Sequence, residues 1–150
     1  MWSAPGNAAA PQDTVSVVPR GVVMMVDVDR LKAINDLEGH AAGDEAIRTV
    51  ANAIRTRIRA DDLLFRWGGD EFLVVMPQSP LELVEQRFSS LDGGMTTPHG
   101  TTLTVSWGAA AFPGADHLDE AIREADRCMY VRKQKAEGRK QKDEGEKAEG

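Results

Sequence analysis

Residues 21–26 read Gly-Val-Val-Met-Met-Val and stop at Asp27-Val28-Asp29. An apolar run without polar alternation suits a strand buried on both faces, so the chain must place a layer on each side of its sheet. Ile47, Val50, Ala51, Ile54 and Ile58 recur at helical spacing and predict an amphipathic helix over 44–58. LLFRW and EFLVVM flank Gly68-Gly69 and predict a β-hairpin, with the glycines as a two-residue loop because glycine tolerates positive φ. Ser79-Pro80-Leu81-Glu82 reads as a capping box with proline at the first helical position, and Leu81, Val84, Phe88 and Leu91 supply the stripe behind it. Leu103, Val105 and Trp107 alternate as in a strand, and Leu118, Ile122, Ala125 and Met129 mark a last helix. With a helix after Asp29, the order is β, α, α, β, β, α, β, α: an α/β domain whose central sheet has antiparallel hairpin content and helices packed on it.

The ends differ from this pattern. Residues 1–20 open with Ala, Pro, Gly and Asn without period and read as a linker or cloning remnant, while 136–150 is mostly Lys, Glu and Gly, with no apolar residue beyond two alanines, and reads as a disordered charged tail. The folded domain is expected over 21–135. A formal charge of −6 gives no broad cationic field for a nucleic-acid duplex, and no apolar run reaches the length of a membrane span or signal sequence. A single cysteine, Cys128, cannot form an internal disulfide, which fits a reducing cytoplasm.

The acids at the strand ends raise the chemical question. If the first strand and the hairpin are neighbours, Asp27 and Asp29 face the tip bearing Asp70 and Glu71. Ionised and empty, such a cluster repels itself, and a hard divalent cation bound through oxygen relieves the repulsion. Magnesium takes one or two carboxylates and completes its shell with water and substrate phosphates. Gly68 and Gly69 would then let a bulky ligand approach the backbone closely. Asp29 alone has a plainer reading, as a cap for the helix that follows.

Lys32, Asn35 and Asp44 extend the constellation. Lys32, in the first turn of a helix, can meet a phosphate as a point charge beside the backbone N–H donors of the helix start. Asn35 both donates and accepts, whereas an ionised Asp44 only accepts. That pair suits guanine, whose ring N–H and amine donate to a carboxylate; adenine would leave buried groups unpaired. Each residue also has a solvent-facing or capping reading.

On these residues the chain resembles the GGDEF domains, which are diguanylate cyclases and their catalytically silent relatives. The resemblance spans about 21–133 and rests on VDVDRLKAIND (26–36), GHAAGDE (39–45), RADD (59–62), RWGGDEF (66–72), TVSWGAA (104–110) and EADRCMYVRK (124–133). It implies a nucleotidyl-cyclase or polymerase-palm-like α/β fold, with a central mixed sheet, flanking helices and a hairpin bearing the Gly-Gly-Asp-Glu-Phe motif. It implies condensation of two GTP into cyclic di-GMP with release of pyrophosphate, in a homodimer whose domains each present one GTP to the other. By the same resemblance Asp27, the Val28 carbonyl and Asp70 would hold Mg²⁺, with Mn²⁺ as an alternative ion, and Glu71 would assist at the metal or as base. Lys32 would neutralise phosphate charge, Asn35 and Asp44 would read guanine, and Lys133 would contact phosphate. Arg59 and Asp62 match an inhibitory RxxD site for cyclic di-GMP; their plainer reading is an exposed i,i+3 ion pair.

Some residues depart from the family pattern. Residues 1–20 contain neither the Asp-x-Leu-Thr segment nor the later Asn-Arg pair, which leaves Arg66 without its expected partner and the regulatory domain or partner protein to be supplied elsewhere. Leu31 replaces a common phenylalanine, a tolerable volume change. Gly138-Arg139-Lys140 falls two residues later than the family's Gly-Arg-Asn. His40 reads as a loop-fixing hydrogen bonder, His99 sits in a turn-like TTPHGTT, and Cys128 reads as a small buried hydrophobe. The rival to a cyclase is a non-catalytic cyclic di-GMP receptor or a regulatory GTP-binding domain.

Overall fold

The computed structural model describes residues 19–149, with side chains from 20 to 136. The expected N-terminal linker lies almost wholly outside the described residues. Strand β1 (Pro19–Val28) leads to helices α1 (Leu31–Glu38) and α2 (His40–Arg55), strands β2 (Leu63–Arg66) and β3 (Glu71–Pro77), and helix α3 (Leu81–Phe88). A short 3₁₀ turn, Ser89–Gly93, precedes the two-residue strands β4 (Met95–Thr96) and β5 (Thr102–Leu103). Strand β6 (Val105–Gly114) and helix α4 (Leu118–Glu149) complete the fold. The backbone of α4 continues through the segment expected as a charged tail.

The main sheet has the order β2-β3-β1-β6, and β4 pairs with β5 alone. A mixed sheet was expected, but each adjacent pair is antiparallel. The reason is topological. β1 and β2 run parallel, joined through α1 and α2, but β3 lies between them; β3 and β6 run parallel, joined through α3, with β1 between. Both connections are split β-α-β units.

The unbroken apolar run in β1 follows from this position. Val22, Met24, Val26 and Val28 pack into one core with Ala46, Val50 and Ile54 of α2 and Val84 and Phe88 of α3. Val23 and Met25 pack into the other with Ala121, Ala125 and Met129 of α4. Alternate residues thus enter opposite layers, and none of the six has a wet face. Each such side chain contributes roughly 1.5–3 kcal/mol by burial.

Two helix starts differ from expectation. Helix α2 begins at His40 rather than at 44, because Gly39, at φ 94°, ends α1 and opens α2 in one sharp corner. That conformation is available to glycine at little cost. Helix α3 has no capping box: Pro80 occupies the cap position without a side-chain bond, and the Ser79 hydroxyl accepts from Arg59 Nη2 at 3.0 Å instead.

Candidate active site

Three elements meet where β1 ends. The alternation that points Val23 and Met25 toward α4 points Asp27 the same way, and the residue is only 6% exposed. Its register partners are Glu71 on β3 and Ser106 on β6. The next residue fastens the hairpin: the Val28 N–H donates to the Asp70 carbonyl at 2.9 Å. The Asp70 carboxylate consequently lies close enough to that of Asp27 to raise its pKa.

Helix α4 supplies the counter-charge. Lys133 follows Ala125 and Met129 at four-residue steps, so it is the polar end of that helix's buried stripe. Its Nζ donates to Asp27 Oδ2 at 2.9 Å, whereas the buried Asp27 Oδ1 has no hydrogen-bond partner. Burial pushes the Asp27 carboxyl from its usual 3.8 up to about 6; Lys133 pulls it down and Asp70 adds to the rise. Burial also raises Glu71, with Asp70 and Asp126 adding to the rise and Lys133 opposing it. For Lys133 burial acts against the ammonium, but the bond to Asp27 and the nearby Asp29 and Asp70 leave its pKa raised.

The hairpin tip is built differently from a two-residue Gly-Gly turn. The loop is Trp67–Asp70, and neither Gly68 nor Gly69 adopts a positive φ. The Trp67 and Gly68 N–H groups both donate to the Glu71 carbonyl, at 2.8 and 3.3 Å. A Cβ on Gly68 would stand 3.2 Å from Glu71 Oε2, while one on Gly69 would meet nothing within 4 Å, which leaves the Gly69 backbone open to approach. Arg66, expected to lack its usual partner, donates from Nη2 to the Gly69 carbonyl at 2.7 Å.

Asp29 does not cap α1: Arg30 holds the cap position, with no side-chain cap bond. Asp29 Oδ2 accepts from the Thr104 hydroxyl and Oδ1 from the Ser106 hydroxyl, both at 2.8 Å. The acids thus divide, with Asp27, Asp70 and Glu71 facing the tip of the hairpin and Asp29 held by Thr104 and Ser106 at the start of β6. Lys32 is exposed on the first turn of α1. Asn35 and Asp44 stand on the two helices that meet at Gly39, and Asn35 Oδ1 lies 1.8 Å from where a Cβ on Gly43 would be. Only glycine at 43 leaves room for that side chain, which therefore sits beside the residue preceding Asp44.

Arg59 and Asp62 lie apart from these residues. Arg59 Nη2 donates to the carbonyl of Pro77, at the end of β3 opposite Glu71 and about 20 Å along the strand. This is more than an exposed ion pair. Asp62 is 7% exposed and its Oδ2 accepts from the Arg59 backbone N–H at 2.8 Å, while the guanidinium stands 3.6 Å from the unpartnered Oδ1. Sequence reasoning missed Thr104, Ser106 and Asp126. Asp126 was within reach, since it precedes Lys133 by two helical turns and so shares its face; the hydroxyls carry no local signal.

Among the described residues no group of three or more His, Cys, Asp or Glu side chains converges as a complete metal cage. The set nevertheless fits a magnesium ion, which needs only one or two carboxylates beside substrate phosphates, and Asp27 Oδ1, buried without a hydrogen-bond partner, is a hard-oxygen donor of the kind it takes. No described helix is long and apolar enough to cross a membrane.

Comparison with known proteins identifies the family and the fold. A family model described as "Diguanylate cyclase, GGDEF domain" matches residues 12–141. Diguanylate cyclase DgcM of Escherichia coli K12 is 34% identical over 111 residues, covering 72% of this chain and 27% of that protein. The chain thus spans about a quarter of the length of this curated relative. The GGDEF domain of PA1120 (YfiN or TpbB) from Pseudomonas aeruginosa superposes with a TM-score of 0.65 at 33% identity, covering 85% of this chain and 84% of that one. A microbial GGDEF domain studied for its interaction with bis-(3′,5′)-cyclic di-GMP superposes with a TM-score of 0.63 at 32% identity, over 85% of this chain and 84% of that one. With the family model covering most of its length and the fold shared by these structures, this chain belongs to the GGDEF family of diguanylate cyclase domains.

Proposed function

We propose that this domain binds GTP with Mg²⁺ at the Asp27–Asp70 end of the sheet and, as a homodimer, condenses two GTP into cyclic di-GMP with release of two pyrophosphates. The observation that carries the reading is the meeting of Asp27 and Asp70 from separate elements, with one buried carboxylate oxygen unpartnered and Lys133 on the other. Asp27, the Val28 carbonyl and Asp70 would hold the cation; Mn²⁺ has the same donor preference. When bound, such an ion neutralises phosphoryl charge and lowers the pKa of a coordinated hydroxyl.

The chain's own residues do the rest. Asn35 donates to and Asp44 accepts from the guanine edge. Lys133 and Lys32 bring ammonium groups to the phosphates, where charge develops in phosphoryl transfer. The open backbone at Gly69, with Gly68 beside it, admits the triphosphate. Glu71, whose pKa is raised by burial and by its acidic neighbours, would in its ionised form be the base that receives the proton of the 3′-hydroxyl presented by the facing domain. Incubation of the concentrated protein with GTP and Mg²⁺, followed by chromatography, tests the proposal: cyclic di-GMP and pyrophosphate should appear in a 1:2 ratio, and their absence at high protein concentration would overturn it.

A second reading is supported by the half-exposed Arg59 and the unpartnered oxygen of buried Asp62. Arginine's fork suits guanine N7 and O6, and a carboxylate accepts from the base's N–H groups. These two residues are proposed to bind cyclic di-GMP, as an inhibitory product site in a cyclase or as the sensing site of a non-catalytic receptor. Binding without turnover would identify the receptor.

A further inference from the structure

The corner between α1 and α2 is held from outside by a turn that takes no part in the chemistry above. Thr97, Pro98, His99, Gly100 and Thr101 join β4 to β5. The turn is internally determined: the Gly100 N–H donates to the Thr97 carbonyl at 2.9 Å, and the Thr97 N–H to the Thr101 carbonyl at 2.8 Å. The Thr101 N–H donates in turn to the Thr97 hydroxyl at 3.1 Å. Proline second and glycine fourth are the places those residues favour in a β-turn, and Thr97 and Thr101 are 4% and 7% exposed.

From this base two side chains reach across to the corner. The Thr101 hydroxyl donates to Glu38 Oε1 at 2.7 Å, and Glu38 is the last residue of α1. His99 Nδ1 lies 2.6 Å from Glu45 Oε2 in α2, and since a carboxylate oxygen only accepts, Nδ1 carries the proton. The contacts join residues 63 and 54 positions apart in the chain. They matter because of what stands beside them. Asn35 lies one turn before Glu38, and Asp44 immediately precedes Glu45. Between the two helices the chain turns only at Gly39, whose φ of 94° offers no side chain to stiffen it. The relative position of the two base-reading groups is set by the packing of Leu31, Ile34, Ala42 and Ala46 in the shared core, by the Asn35–Gly43 approach and by these two outside ties.

We propose that the Thr97–Thr101 turn is a positioning strap for base selection: through Glu38 and Glu45 it fixes the corner on which Asn35 and Asp44 read guanine. His99 and Thr101 are its positioning residues, and neither touches the nucleotide. The inference rests on the guanine reading proposed above. A base pocket discriminates only when its donors and acceptors are held to a fraction of an ångström, and a displacement of about 1 Å is enough to lose much of that discrimination.

The test is calorimetric binding, with Mg²⁺, of the α,β-methylene analogues of GTP and ATP, which cannot release pyrophosphate. His99→Ala and Thr101→Val should each weaken the guanine nucleotide about fivefold, the scale of one hydrogen bond, and leave the adenine nucleotide unchanged. His99→Asn, which keeps a donor near the Nδ1 position, should restore the preference. The side chain of His99 is 84% exposed, so its removal does not threaten folding. Unchanged affinities in both variants, or equal weakening of both nucleotides, would overturn the strap. Asn35→Ala and Asp44→Ala separate the two claims: if they lose the guanine preference while His99→Ala and Thr101→Val keep it, the strap alone fails, and if they keep it, the guanine reading fails and the strap with it.

Discussion

Lys133 Nζ stands 2.9 Å from Asp27 Oδ2, while Oδ1 of the same carboxylate is buried without a partner. One oxygen of this buried carboxylate is thus satisfied by Lys133, and the other has no hydrogen-bond partner within the protein. Lys133→Met should expose the consequence, because it leaves a buried carboxylate with no cation. The variant is expected to lose about 3 kcal/mol of stability in chemical denaturation, the usual cost of breaking a buried pair from one side. Adding Asp27→Asn should recover most of that loss. Additive losses in the double variant would show that the pair is not coupled.

The raised pKa of Asp27 has a pH signature. Its folded pKa of about 6 lies above the usual 3.8, so between these values the folded state holds more protons than the unfolded one. Stability contributed by the protonated carboxyl is therefore full below about 4 and is lost as pH rises toward and through 6. The difference in unfolding free energy between wild type and Asp27→Asn, measured from pH 4 to pH 7, should fall by about 2 kcal/mol across that window. A flat difference, or one that rises with pH, would contradict the burial of this group.

Gly43→Ala separates binding from folding. Alanine at a helix interior gains up to about 1 kcal/mol of helix propensity over glycine, yet its Cβ would stand 1.8 Å from Asn35 Oδ1 and must displace that side chain. The expected result is a melting temperature within a few degrees of wild type and guanine-nucleotide affinity reduced about tenfold. Retained affinity would show that the position of Asn35 is unimportant for the base.

Arg59→Ala should weaken cyclic di-GMP binding at least about tenfold, the scale for losing a charged, forked contact. The protein itself should lose no more than about 1 kcal/mol, since Arg59 is half exposed and its bonds are to the Pro77 carbonyl and Ser79 hydroxyl. Calorimetry on both proteins checks the first part and thermal melting the second. Equal affinities would place the nucleotide elsewhere.

The residues that could be read from sequence were those whose pattern has one physical meaning. The run from Val22 to Val26 reads as a strand covered twice and the stripe from Leu118 to Met129 as an amphipathic helix, whereas Lys133 was reached only through the resemblance to the family, although it stands one helical step beyond that stripe. The antiparallel order was not legible, because periodicity says which face is buried but nothing about which strand slips between two others. Local signals also misled where a distant residue competed. Ser79 has the sequence of a helix cap, but Arg59, twenty positions earlier, takes its hydroxyl. Asp29 has the sequence of another, but Thr104, just before β6, and Ser106, in β6, hold its carboxylate from more than seventy residues later. The Gly-Gly pair looked like a two-residue turn because Glu71, whose carbonyl gathers the loop's N–H groups, sits just outside it.

The most direct test is electron paramagnetic resonance of Mn²⁺ titrated into the protein with the α,β-methylene analogue of GTP, for wild type, Asp27→Ala and Asp70→Ala. A bound-ion spectrum should appear in wild type only when the nucleotide is present and should be lost in both variants, with their folds intact by circular dichroism. A bound spectrum that survives in either variant, or none in wild type at saturating nucleotide, would contradict the assignment of these two carboxylates to a shared cation.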